Sequence, residues 1–135
     1  MKKQMAFTLI ELMLVMAISA VLLAMSYPAY EQYETHAERN RAEVALFQLS
    51  ALLEGYFNDN ATYKGATIQS LHANILTKEL QYQLKIMRAD DAHYQIAAVP
   101  IAAQANRDYH CGALIINDLN QQTISGDGNA EVCWH

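Results

Sequence analysis

Cysteine is scarce in this chain: Cys111 and Cys133 are the only two. Their spacing fits neither a CxxC redox pair nor a four-ligand zinc site. Histidine is thinly spread, at positions 36, 72, 93, 110 and 135, with no HExxH and no paired spacing. The five glycines form no P-loop and no GxGxxG, and there is no GxSxG elbow. His110 adjoins Cys111 but reads as a surface histidine rather than half of a thiolate pair. No constellation for catalysis, metal or cofactor binding emerges, so an enzyme is not expected. A dense basic run is also missing: Lys64, Lys78, Lys85, Arg88 and Arg107 are scattered, and the formal net charge is -5. That balance argues against a broad electrostatic footprint for nucleic acid and leaves a local patch open.

What the chain does have is one long apolar run, AFTLIELMLVMAISAVLLAMSYPAY, at residues 6–30. Between Leu12 and Tyr27 there is no charge, and from Phe7 to Tyr30 the only ionised side chain is Glu11. A helix of that length reaches about 36 Å, enough to cross a hydrocarbon core of about 30 Å. Lys2 and Lys3 hold its start on the cytoplasmic side. No small-x-small cleavage site follows the run, so the helix is expected to stay with the protein. A carboxylate inside the bilayer costs about 2.5–3.5 kcal/mol on insertion scales. Glu11 therefore needs a partner, or sits near the helix start where the macrodipole and the headgroups tolerate it.

The segment FTLIELMLVMAI, after a short Lys-bearing leader and a small residue, closely resembles the N-terminus of type IV pilins and the related secretion pseudopilins. The resemblance implies a class III prepilin leader at residues 1–6. A membrane prepilin peptidase would cut between Ala6 and Phe7 and methylate the new amine of Phe7. Glu11 matches the family's glutamate that meets the amino end of a neighbouring subunit as the filament forms. On that reading Glu11 is costly in the stored monomer and relieved in the polymer. The family nearly always carries Gly before the cut, whereas this chain has Ala6; the departure bears on processing efficiency and leaves the fold alone.

The cysteines then fall in an oxidising compartment, where a disulfide is the default, against two free buried thiols. Closing that loop contributes roughly 3 kcal/mol in the chain-entropy model. Pro28 sits where the membrane helix leaves the bilayer; a kinked continuation is favoured over a break, because Tyr30 to Tyr56 still reads as helix. Pro28 also matches the family's helix-bending proline. Tyr27, Tyr30 and Tyr33 follow as interfacial aromatics.

Further on, Ala42, Ala45, Leu46, Leu49, Leu52, Leu53 and Tyr56 form one apolar stripe at helical period. That stripe is expected to pack on a globular head. Val44, Phe47 and Ala51 lie nearly opposite on the helical wheel, and we read them as a line facing neighbouring subunits. Turn formers at Asn58, Asp59, Asn60 and Gly65 end the helix. The Lys64 to Lys78 connection is expected to make a short helical turn through Ile68, Leu71, Ile75 and Leu76.

The period then changes to two. Strands are expected around Tyr82–Ile86, Tyr94–Ala98, Cys111–Ile116 and, more weakly, Gln122–Ser125. The acidic and amide side chains between Cys111 and Cys133 read as a solvated loop rather than a calcium site. The fold class is α+β: a long N-terminal helix, half membrane and half amphipathic, packed on a three- or four-stranded antiparallel sheet. Domains are a leader at 1–6, a membrane and filament-core helix at 7–30, and a periplasmic head at 31–135. CGALIIND and the terminal CW extend the resemblance, toward small minor pilins of the PilE type, over nearly the whole chain.

The resemblance implies a structural subunit, held in the inner membrane and then polymerised into an extracellular pilus for adhesion, twitching motility or DNA uptake. Its partners would be other pilin subunits, the prepilin peptidase, an inner-membrane assembly platform and an assembly ATPase. One rival is a type II secretion pseudopilin, against which the terminal disulfide with Trp134 counts. Another is a DNA receptor pilin, which demands a compact basic patch on the head; the acidic balance argues against it.

Overall fold

A computed structural model describes residues 7–134. The leader residues, Ala6 among them, lie outside that range. The chain divides into two compact units between Glu34 and Thr35.

In the first unit, helix α1 (Leu9–Asn60) begins and carries its large apolar side chains into the open. Phe7 is 80% exposed, Leu9 78% and Leu23 70%. Among the described residues this is the one helix long and apolar enough to cross a membrane, and none of its most apolar window is buried. A single copy of this unit cannot hide that surface from water. Pro28 lies inside α1 rather than at its end. Two residues earlier, the Ser26 hydroxyl donates to the Leu22 carbonyl at 2.8 Å.

The second unit contains the remainder of α1 and a four-stranded sheet. Its strands are β1 (Tyr82–Ala89), β2 (Tyr94–Pro100), β3 (Leu114–Asn117) and β4 (Gln122–Ile124). They pair antiparallel in the order β1-β2-β3-β4. A register shift between Ile86 and Arg88 leaves Met87 unpaired on the β1 strand. The apolar stripe of α1 provides one wall of the core: Ala42, Leu46, Leu49 and Leu53 are essentially inaccessible. Tyr82, Ile96, Leu114 and Ile116 provide the other, as alternation along the strands requires. This is the expected α+β arrangement.

Some particulars differ from expectation. Leu52 belongs to the stripe by period yet is 41% exposed, because the core covers a narrower arc of the helix. The stretch from Lys64 to Lys78 does make a single helical turn, where the Leu71 amide donates to the Thr67 carbonyl at 3.0 Å and Ile68 packs on the core, but it then runs on into an isolated bridge (Leu76 to Gln83). Leu71 is buried there, while Ile75 and Leu76 remain partly open. The third strand starts at Leu114, because Cys111 and Gly112 are occupied in a turn against Asp108. Two short helices were not anticipated: α2 (Ala102–Arg107) and α3 (Ala130–Cys133). The first has no side-chain cap; the second is capped by Asn129, whose side chain accepts from the Glu131 amide at 2.9 Å, but at four residues it is too short for a periodic signal.

The disulfide between Cys111 and Cys133 is formed, with Cα atoms 5.7 Å apart and both residues buried. It draws the C-terminal arm against the sheet, where the Trp134 indole N–H donates to the Thr123 carbonyl at 3.0 Å. Backbone from the two ends of the bridged loop meets closely at Gly126. A Cβ there would stand 2.1 Å from the His110 carbonyl oxygen, so only glycine fits.

Candidate functional site

The start of α1 is a capping box. Thr8 stands before the first helical residue, and its hydroxyl accepts from the Glu11 amide at 3.3 Å. In return the Glu11 carboxylate accepts from the Thr8 amide at 2.9 Å and the Thr8 hydroxyl at 2.8 Å. Two otherwise unsatisfied donors are met reciprocally, as Thr-x-x-Glu at a helix start allows. The carboxylate is thus held at the helix start by local contacts, one of the two readings its position allowed. Among the described residues both local contacts use Oε2, which leaves Oε1 for a second donor. Ala6, the residue before the expected cut, is outside the described range; Phe7 is at its edge and exposed.

The second candidate surface is the face of α1 that turns away from the core. Val44 is 56% exposed and Ala51 is also exposed. Val44 lines an open groove of about 530 Å³, together with Leu52, Leu76 and the rim residues Arg41 and Lys78. Phe47 behaves differently. It packs edge-to-face on Trp134, with ring centroids 6.5 Å apart, so part of its surface serves its own head. The structure therefore does not treat Val44, Phe47 and Ala51 as one equivalent line.

A buried polar cluster, missed in the sequence, fixes the first turns of α1 in the head. Arg39 donates to both oxygens of Asp108, through Nε to Oδ2 at 2.9 Å and Nη2 to Oδ1 at 2.5 Å. Tyr82 donates its hydroxyl to Asp108 at 2.9 Å. The Gln104 amide donates to the Thr35 carbonyl at 3.0 Å and to the Tyr82 hydroxyl at 3.1 Å. Burial pulls the Arg39 pKa down, but hydrogen bonding to Asp108 and its charge outweigh this and raise it. Burial pushes the Tyr82 phenol up, reinforced by the Asp108 charge. A faint signal was available: Thr35, Arg39, Ala42, Leu46, Leu49 and Leu53 share one helical period.

Two histidine–carboxylate pairs hold loops together: His93 with Asp118 at 2.7 Å and His110 with Asp127 at 2.8 Å. The His110 contact holds the Asp127 carboxyl below its usual range.

Comparison with known proteins completes the picture. A family model described as "Type IV minor pilin ComP, DNA uptake sequence receptor" matches residues 28–115, and one for the prokaryotic N-terminal methylation motif matches residues 1–27. The type IV major pilin protein PilE of Neisseria gonorrhoeae is 29% identical, over 92% of this chain and 83% of its own. A fimbrial protein of Pseudomonas aeruginosa is 45% identical over 41% of this chain and 39% of its own. In fold, the crystal structure of the non-core minor pilin PilV from Neisseria meningitidis superposes with a TM-score of 0.56. It does so at 15% identity, over 73% of this chain and 94% of that one. With well over half of its length under the first family model, the chain belongs to the type IV minor pilins.

Proposed function

We propose that this pilus subunit is made as a single-pass inner-membrane precursor with its head in the periplasm. The prepilin peptidase cuts it between Ala6 and Phe7 and methylates the Phe7 amine. The assembly platform then feeds it into the filament, where Glu11 Oε1 meets the amino end of a neighbouring subunit. The observation that carries this reading is the first unit itself: a fully exposed apolar helix with one carboxylate at its start. Such a surface is stable in lipid or among its own kind and nowhere in water. The match to the N-terminal methylation motif supports the processing step.

Competition in the filament tests it. Glu11→Leu and Glu11→Gln subunits, each co-expressed with the natural chain, should be depleted from sheared pili while persisting in the membrane fraction. Equal recovery of the variants would remove Glu11 from assembly.

A second reading concerns what the head does once displayed. The family description names a DNA uptake sequence receptor. We propose that this head, too, contacts DNA during uptake, in place of a purely structural role. Net charge speaks against this only if the charge is evenly spread, and it is not.

A further inference from the structure

Residues 31–135 contain thirteen acidic and seven basic residues. None of the acidic ones is in the sheet. The four strands read YQLKIMRA, YQIAAVP, LIIN and QTI, with Lys85 and Arg88 as their only charges. Every carboxylate of the head is instead on α1, on α3 or in a connecting loop. A head that is acidic overall thus has a sheet that is purely cationic.

Register decides which face carries those charges. Ile86, Ile96 and Ile116 lie in one row and face the core. The adjacent rows face the other way: Lys85 pairs with Ala97, Ala97 with Ile115, and Ile115 with Thr123. Arg88 pairs with Gln95. Lys85, Arg88, Gln95 and Thr123 are all exposed, and Gln83 is half-exposed on the same side. Arg88 also contacts Asp90 at 2.6 Å, at the hairpin end of the face.

We propose that this outward sheet face is where the head contacts double-stranded DNA. The inference rests on the DNA-receptor reading above and assigns it a surface. Lys85 and Arg88 neutralise phosphates, and the amides of Gln83 and Gln95 are placed to reach base edges. A side-chain amide offers one donor and one acceptor together, the complement of adenine in the major groove. The strands themselves carry no carboxylate that would repel the backbone; the acid at the edge of the face, Asp90, is paired with Arg88, which has to exchange that partner for a phosphate. Four strands at about 4.8 Å spacing make the face about 14 Å wide, room for several consecutive phosphates.

The test uses the full chain in detergent and fluorescence anisotropy with labelled duplexes, one A·T-rich and one G·C-rich, at several salt concentrations. The double variant Lys85→Gln/Arg88→Gln should weaken binding about tenfold and make the slope of log affinity against log salt shallower by about 1.8. Gln95→Ala should keep the salt slope and reduce the difference between the two duplexes. Near-ultraviolet circular dichroism checks that each head is folded. If the natural chain binds neither duplex, the receptor reading itself fails. If it binds, but only Lys64→Gln/Lys78→Gln weakens it, the reading stands and this face is the wrong one. If the Lys85/Arg88 variant binds DNA normally but is lost from pili, the face is an assembly contact with an acidic neighbour, and the proposal is overturned.

Discussion

Arg39 and Asp108 stand 69 residues apart in sequence and meet as a two-point ion pair, with side chains only 5% and 4% exposed. The pair joins α1, whose stripe packs on the sheet, to the turn that leads into Cys111. Removing one member leaves the other charged and dry, which is costlier than never having had the pair. Asp108→Ala should therefore destabilise the head by about 3–5 kcal/mol, and Arg39→Met/Asp108→Leu should recover most of that loss. Urea unfolding followed by near-ultraviolet circular dichroism measures both; a double variant no better than the single one contradicts the pairing.

Gly126 predicts a second sensitivity. A methyl group there meets the His110 carbonyl at 2.1 Å, and the obstacle is backbone, which cannot swing aside. Gly126→Ala should lower the thermal midpoint, at a cost of about 2 kcal/mol or more. Gly55→Ala, on an open face of α1 with nothing within 4 Å, should instead be neutral or stabilising.

Alkaline pH should loosen the head through its buried phenols. Burial, then hydrogen bonding to Glu54, pushes Tyr63 from 10.0 up to about 12. Tyr82 and Tyr94 shift in the same direction, burial again being the leading cause. A folded-state pKa above the unfolded one means the contribution is complete below pH 10.0 and lost as pH rises through about 12. Urea midpoints at stepped pH, read beside tyrosinate absorbance, should fall across that window. Tyr63→Phe should flatten part of the fall.

Val44 and Phe47 should separate in a filament assay. Val44→Lys changes an open position and should shift head stability by no more than about 0.5 kcal/mol. Phe47→Lys also loses the Trp134 contact, worth about 0.5–1.5 kcal/mol beyond its buried area. If α1 presents Val44 to a neighbour, Val44→Lys alone lowers recovery in pili with the head intact. Normal recovery returns this face to solvent.

Much of this architecture was legible because periodicity is a local property. The apolar repeat from Ala42 to Leu53 gave the core face of α1, and alternation gave the strands to within a few residues. Glu11 was legible as an acid near a helix start, and the Thr8-x-x-Glu11 spacing was equally visible, but the reciprocal cap with Thr8 emerged only in the structure. Arg39 was hidden for another reason: its partner Asp108 is remote in sequence, and a charged residue on an apolar period looks like an interruption. The same holds for Phe47, whose contact with Trp134 exists only because the disulfide returns the C-terminal arm. Net charge is silent on local patches, since it averages over surfaces that register keeps apart. No count of Lys and Asp shows that the sheet excludes acids until strands are paired and their faces assigned.

The central claim is that this chain is a processed subunit whose apolar helix is built for polymerisation. Mass spectrometry of the N-terminus in isolated pili tests it most directly. The expected first residue is Phe7, carrying one methyl group on its amine, with the subunit present in the fibre. A chain that still begins at Met1, or one found in membranes and never in pili, contradicts it.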